Sequence, residues 1–187
     1  MKTLLLGMGN PILCDDAVGV RLAAAVAQRL GRRPDVDVVA ECSVGGLGLL
    51  DVLAGYERVL AFDSIQTGAG RPGDWYVFDA AALRDTVNLR NVHDTNLATA
   101  LALGRSLGLC LPADRDIRIY AVEVEDNVTF SERMSAALEH AFPELAVTID
   151  NPTGRQKIQI TLVQLERCSM KECIHTQNLF LHYGIIE

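Results

Sequence analysis

Two adjacent aspartates, Asp15 and Asp16, stand in the sequence GMGNPILCDDAVG near the start of the chain, directly after a short apolar run. A glycine loop that binds a dinucleotide has three spaced glycines and holds the phosphates at a helix N-terminus. Only Gly7 and Gly9 fit that pattern, because Ile12 occupies the third glycine position. Two carboxylates would repel a pyrophosphate and attract a cation. Aspartates in a first helical turn can equally cap free amides, so this stretch alone leaves both roles open.

Two further polar residues also lie at the end of a predicted strand or before a predicted helix. Asp63 lies at the end of a predicted strand from Arg58 to Ile65, and His93 precedes a predicted helix. Ligands of parallel α/β sheets collect outside the carboxyl ends of the strands, so we expect Asp16, Asp63 and His93 to face one cleft. Two carboxylates and an imidazole suit nickel, zinc or manganese. Taken singly, Asp63 and His93 could also be capping residues.

A thiol mechanism is a second reading of the same residues. Cys14 would be the nucleophile, with His93 as its base and Asp63 as the group that orients the base. The neighbouring carboxylates disfavour this reading, because negative charge raises the pKa of a thiol and lowers its reactivity.

Strands and helices are predicted to alternate along the chain. Strands are expected at 3–7, 36–41, 58–65, 75–78 and 117–124, and helices at 17–30, 49–54, within 93–107 and at 131–142. Gly31 is expected to end the first helix, Ser131 to cap the last, and the strand at 75–78 to lie at a sheet edge. Such alternation predicts an α/β fold with a mainly parallel sheet covered by helices on both faces.

The composition bounds the class of protein. The chain has 187 residues, of which 49% are hydrophobic, which suits one globular domain with a substantial core. A net charge of -7 without a run of Lys or Arg argues against nucleic-acid and anionic-membrane partners. No signal-peptide or membrane-spanning run is evident, so we expect a cytoplasmic protein. Five cysteines, an odd number and mostly far apart, indicate reduced thiols.

The last part of the chain differs in composition. Residues 148–187 contain no alanine and include the alternating segment KIQITLVQL. Cys168, Cys173 and His175 provide only a partial set of metal ligands. We therefore predict a single domain over residues 1–147, followed by an extension outside it.

Three segments together carry a family resemblance. GMGNPILCDDAVG, VLAFDSI and VHDTNLATAL resemble the motifs of the nickel-iron hydrogenase maturation endopeptidases, and the likeness extends over about residues 1–145. The resemblance implies a three-layer α/β/α sandwich with a twisted, mainly parallel sheet. It also implies a peptidase that removes the C-terminal extension of the hydrogenase large-subunit precursor once nickel has been inserted.

The resemblance assigns roles to individual residues. It implies that Asp16, Asp63 and His93 bind the metal, which is nickel carried by the precursor, and that no organic cofactor is needed. The opening segment is then interpreted as a cation-binding loop, and Asp15 as a cap or brace. The residues expected to shape this loop are Gly7, Gly9, Asn10 and Gly19.

A nucleotide-binding module is the competing interpretation. The order strand, loop, helix at the start of the chain suits a Rossmann-like domain, and Glu41, at the end of the second predicted strand, could bind a ribose. Ile12 and the two loop aspartates disfavour this nucleotide-binding interpretation.

Overall fold

The chain folds around a five-stranded, mainly parallel sheet. The computed structural model describes residues 1–67, 70–82 and 97–150, so the predictions for His93, Cys168, Cys173 and His175 lie outside the described residues. The strands are β1 (Thr3–Met8), β2 (Val36–Cys42), β3 (Arg58–Ile65), β4 (Trp75–Asp79) and β5 (Ile117–Glu123), and the α-helices are α1 (Val18–Leu30), α2 (Leu49–Leu53), α3 (Leu97–Ser106) and α4 (Ala136–Asp150).

The strand order brings the first and third strands to the middle of the sheet. The order is β2-β1-β3-β5-β4, with β1 parallel to β2 and β3, and β3 parallel to β5. β4 lies at one edge and runs antiparallel to β5, which confirms the predicted edge strand. The carboxyl ends of β1, β2, β3 and β5 therefore meet at one edge of the sheet, which we call the carboxyl edge.

Alternating side chains of the central strand separate two apolar layers. Leu4 and Leu6 of β1 are buried with residues of α2 and α3, whereas Leu5 is buried on the opposite face with residues of α1 and α4. Each fully buried leucine contributes about 1.5–3 kcal/mol relative to an exposed one. Helices thus cover both faces of the sheet, and the predicted three-layer α/β/α class is confirmed.

Two glycines let α1 approach the sheet closely. Gly7 lies within β1 and Gly19 lies within α1. Both are predicted from the sequence to lie in the connecting loop, and the structure places neither there. A Cβ atom on Gly7 would overlap the carbonyl oxygen of Ala40, and one on Gly19 would overlap those of Met8 and Phe62. These two glycines therefore act at the contact between helix and sheet.

The start of α4 differs from the prediction. The helix begins at Ala136 and not after Ser131. Ser135 is the capping residue, because its Oγ accepts a hydrogen bond from the backbone N–H of Leu138 at 3.3 Å. The Oγ of Ser131 instead accepts from the N–H of Arg133 at 3.0 Å, in the loop before the helix. Both serines suit a cap by residue type, and local sequence does not distinguish them.

The end of α4 also lies beyond its predicted position. The helix continues through Pro143 to residue 150, although an interior proline costs about 3 kcal/mol. Leu145 and Ala146, which follow the proline, are buried against the sheet and stabilise the continued helix. Residues 148–150 are thus helical, and the rest of the predicted extension lies outside the described residues.

Other predictions hold with small shifts of boundary. β3 has the predicted bounds, and α1 ends at Gly31, which has a positive φ of 64° and donates its N–H to the carbonyl of Ala27 at 3.1 Å. Cys14, Cys42 and Cys110 are free thiols, as expected. In the described part of the chain, no helix combines the length and the apolar character that a membrane span requires.

Candidate functional site

Asp16 lies at the carboxyl edge, in the 3-10 turn Asp15–Ala17 that leads into α1. Its side chain is buried, and both of its oxygens accept hydrogen bonds. Oδ2 accepts from the backbone N–H of Asn10 at 2.7 Å, and Oδ1 accepts from the hydroxyl of Ser64 at 2.6 Å. The carboxylate is therefore fixed from two sides, by the loop after β1 and by the end of β3.

The loop after β1 is shaped around this carboxylate. Gly9 has a φ of +125°, a conformation that favours glycine, and a Cβ atom there would overlap the carbonyl oxygen of Asp16. The Oδ1 atom of Asn10 accepts a hydrogen bond from the backbone N–H of Ile12 at 3.2 Å, and this bond closes a tight turn. Of the four predicted loop residues, Gly9 and Asn10 lie in the loop, whereas Gly7 and Gly19 lie in β1 and α1.

Asp63 lies beside this site in β3 and is fully buried. Its Oδ1 accepts the backbone N–H of Ser64 at 2.8 Å. Burial, followed by the negative charge of Asp16, raises the pKa of Asp63 well above its usual value, and the Ser64 N–H opposes this rise. Asp16 therefore lies close enough for its negative charge to add to the rise in the pKa of Asp63, and a bound cation would relieve this repulsion.

Asp15 has a different role from its neighbour. It is buried, and its carboxylate accepts hydrogen bonds from the backbone N–H groups of Ser135 at 2.6 Å, Asp126 at 3.1 Å and Glu125 at 3.2 Å. These bonds join the loop after β1 to the segment between β5 and α4. Asp15 therefore braces two loops of the carboxyl edge, in line with its interpretation as a brace.

Cys14 has no sign of activation as a nucleophile. Burial raises the pKa of its thiol, and the negative charge of Asp15 raises it further. Its Sγ lies 3.8 Å from Oδ1 of Asp15. A thiol with a raised pKa is mostly protonated near neutral pH, so the surroundings of Cys14 disfavour the thiol mechanism.

The third predicted metal ligand, His93, lies outside the described residues, so its position beside the aspartates stays a prediction. Within the described ranges, no group of three His, Cys, Asp or Glu residues is arranged to hold a metal ion. The described part of the site therefore consists of a pair of carboxylates.

Sequence reasoning missed Ser64, which connects the two aspartates. It follows Asp63 in the chain, and strand alternation turns it to the face of Phe62 and α1, where Asp16 lies. Asp63 instead shares the face of Ala61 and Ile65. That alternation, once Asp16 is placed at the start of α1, is the signal that could have identified Ser64.

Glu123 is a second buried polar residue that the sequence did not reveal. At the end of β5 it accepts hydrogen bonds from the N–H of Thr67 at 2.6 Å, the Thr67 hydroxyl at 2.8 Å and the Tyr76 hydroxyl at 3.0 Å. Burial, and then the charge of Glu123, raises the pKa of Tyr76 to about 12. This network fixes the segment that follows β3.

The mainly parallel α/β/α sandwich of the chain is the fold of solved hydrogenase maturation endopeptidases. Among curated proteins, hydrogenase 2 maturation protease of Escherichia coli (strain K12) is 25% identical to the chain over 150 residues, which cover 80% of this chain and 91% of the relative. No family model matches the chain.

Solved structures share the fold. The hydrogenase maturating endopeptidase HybD from E. coli superposes with a TM-score of 0.61 at 24% identity, covering 80% of this chain and 90% of the other. The [NiFe] hydrogenase maturation protease HybD from Thermococcus kodakarensis gives a TM-score of 0.56 at 17% identity, covering 82% and 100%. Together with the curated relative, these findings confirm the predicted resemblance and the peptidase class of the enzyme.

Proposed function

We propose that the chain is the endopeptidase that removes the C-terminal extension of a nickel-iron hydrogenase large-subunit precursor after nickel insertion. The observation that carries the proposal is the buried pair of Asp16 and Asp63 at the carboxyl edge. Together with His93, these residues would bind the nickel that the precursor carries. The relatives, which are named as maturation proteases, support the assignment.

The chemistry of the described donors suits that cation. Carboxylate oxygens bind borderline divalent ions, and a histidine would complete a mixed oxygen and nitrogen set. Hydrogen bonds from Asn10 and Ser64 hold Asp16 in one orientation. Outer hydrogen bonds of this kind orient metal ligands and tune their affinity.

The burial of the pair explains why a cation would be recognised. Burial is the larger cause of the raised pKa of Asp63, and repulsion by the negative charge of Asp16 adds to it. A divalent cation replaces this repulsion by attraction, so a precursor that carries nickel should bind better than one without it. A bound cation can polarise a peptide carbonyl or activate a water molecule, which is the general contribution of a metal to peptide hydrolysis.

The nucleotide-binding alternative loses support at the same loop. A phosphate would need free backbone amides there. The amide of Asn10 donates instead to the carboxylate of Asp16. Glu41, the proposed ribose ligand, is exposed on β2, which is one of the two edge strands of the sheet.

Cleavage of the purified precursor tests the proposal. The nickel-loaded precursor should be cut and the nickel-free precursor should not, with the protease stripped by a chelator beforehand. Asp16→Asn and Asp63→Asn should each slow cleavage by more than about 100-fold, because loss of a ligand costs more than loss of its outer partner. Asp51→Asn, at an exposed position of α2, is the matched control and should cut at the unaltered rate.

Two results would contradict the proposal. One is equal cleavage of the nickel-free and nickel-loaded precursors. The other is saturable binding of NAD without any binding of nickel, which would favour the nucleotide module. Melting temperatures of the variants separate loss of function from loss of fold.

A further inference from the structure

Five exposed apolar side chains lie on the loops that follow β1, β2 and β5, at the carboxyl edge that carries the aspartate pair. We call this group the apolar rim. Phe130 and Val128, between β5 and α4, are 77% and 73% exposed. The members of the rim are Ile12, Val44, Leu47, Val128 and Phe130. Large apolar side chains exposed together mark interaction surfaces more often than single ones do.

Hydrogen bonds hold the rim in place. Leu13 and Phe130 form an antiparallel β-bridge, and the N–H of Ser131 donates to the carbonyl of Ile12 at 3.1 Å. The loops after β1 and β5 are therefore paired, with Phe130 opposite Leu13, the residue that follows Ile12. A surface that is ordered before it binds loses less entropy on association.

The loop after β2 adds the other side of the rim. Val44 and Leu47 lie between β2 and α2, and about half of each side chain is exposed. The N–H of Gly9, in the loop after β1, donates to the carbonyl of Cys42 at 3.3 Å, at the end of β2. The rim thus extends over the loops after β1, β2 and β5, and the loop after β1 also leads to Asp16.

The same loops are acidic. At the surface, residues 9–17, 43–48 and 124–135 carry three acidic residues, Glu125, Asp126 and Glu132, and a single basic one, Arg133; Asp15 and Asp16 of the same loops are buried. Such a surface complements a partner that presents a cation within an apolar segment, and it disfavours an anionic partner. The charge of these loops therefore agrees with the chemistry of the buried carboxylates.

We propose that the apolar rim is the docking surface for the precursor, with apolar side chains next to the nickel packing on Phe130 and Val128 while the cation enters the aspartate site. This inference rests on the proposed function and deepens it, because it assigns peptide binding to residues that do not touch the cation. The rim then sets the affinity for the precursor, and the aspartates set the dependence on nickel.

Exposed leucines at the opposite edge provide a matched control. Leu107 is 69% exposed, and Leu109 is also exposed, in the segment that follows α3. The neighbouring carbonyl of Cys110 accepts from the N–H of Gly55, just before the start of β3, so this segment lies at the amino end of the sheet. Truncation of these leucines changes apolar exposure without changing the rim.

The test compares two double variants, Val128→Ala/Phe130→Ala and Leu107→Ala/Leu109→Ala, in cleavage of the nickel-loaded precursor. The rim variant should raise KM at least about tenfold and change kcat less than twofold, because it weakens binding and not the chemistry. The control variant should leave both constants unchanged. Binding of the precursor, measured by titration calorimetry, should weaken in the rim variant alone.

Each outcome distinguishes the two proposals. An unaltered KM and unaltered precursor binding in the folded rim variant would overturn the rim while leaving the proposed function intact. If the unaltered chain binds but does not cut the precursor, the proposed function fails, and the binding data still decide the rim. If gel filtration shows that the rim variant merely dissociates a dimer and KM is unchanged, the rim is a contact between copies of the chain.

Discussion

The hydroxyl of Ser64 donates a hydrogen bond to Oδ1 of Asp16 across 2.6 Å, so the end of β3 fixes the carboxylate at the start of α1. Ser64 is also the covalent neighbour of Asp63, whose Oδ1 accepts its N–H. One residue therefore controls the positions of both carboxylates.

The variant Ser64→Ala should bind nickel about 10- to 100-fold more weakly than the unaltered chain does. This is the usual cost of losing an outer partner of a metal ligand. Titration calorimetry of Ser64→Ala with nickel measures this loss without any cleavage assay. Ser64→Thr keeps the hydroxyl and should recover most of the affinity. Ser106→Ala, at an exposed serine of α3, should bind nickel like the unaltered chain. Equal affinities for Ser64→Ala and the unaltered chain would show that Ser64 does not position Asp16.

Truncation of Asp15 should affect the fold more than the chemistry. Asp15→Ala leaves three backbone N–H groups, those of Glu125, Asp126 and Ser135, without their acceptor. These bonds are partly buried and the carboxylate is fully buried, so we expect the free energy of unfolding to fall by about 1–3 kcal/mol. Urea unfolding measures the change. Asp35→Ala, at an exposed position, should change it by less than about 0.5 kcal/mol, and a similarly small effect of Asp15→Ala would refute the brace.

Substitutions at two glycines with positive φ allow the cost of backbone strain to be measured apart from the cost of steric overlap. Gly9 and Gly108 have φ values of 125° and 81°, but a Cβ atom would meet nothing within 4 Å at Gly108 and would overlap the backbone of Asp16 at Gly9. Gly108→Ala should therefore cost only the strain, about 1–2 kcal/mol. Gly9→Ala should cost clearly more and should also weaken nickel binding. Thermal melts and calorimetry check both effects, and equal losses in the two variants would mean that the loop shifts freely away from Asp16.

Much of the fold could be predicted from local pattern. β3 follows from its apolar run Val59–Phe62, and the stop of α1 follows from Gly31. The start of α4 was predicted wrongly because Ser131 and Ser135 are equivalent as local caps. The N–H of Ser135 bonds to Asp15, a contact over 120 residues that no local pattern contains.

The site could be predicted only in part. Its aspartates stand out because each follows an apolar run that ends at the carboxyl edge. Ser64 and Glu123 gave no such signal, because a serine or glutamate at a strand end is usually solvated. Their roles depend on partners from other strands and loops, namely Asp16 for Ser64 and Thr67 for Glu123.

The buried pair of Tyr76 and Glu123 should make the stability of the fold depend on alkaline pH. The pKa of Tyr76 is about 12 in the folded chain, against 10.0 as its ordinary value, because the hydroxyl is buried and bonds to the Glu123 carboxylate. Above pH 10 the unfolded chain loses this proton while the folded chain keeps it. The stabilisation is therefore complete below about pH 10 and is lost as the pH rises towards 12.

Tyr76→Phe removes this dependence and so isolates it. Near pH 8 the variant should be less stable than the unaltered chain, by about 1–2 kcal/mol, because Glu123 loses a donor. Between pH 10 and 11 the difference should shrink by roughly 1 kcal/mol, since one proton per pH unit is worth about 1.4 kcal/mol. Urea unfolding at pH 8, 10 and 11 gives both values. Tyr56→Phe, whose hydroxyl bonds to the exposed Asp37, should show a smaller change with pH, and a constant difference for Tyr76→Phe would mean that its pKa is the same in the folded and unfolded chains.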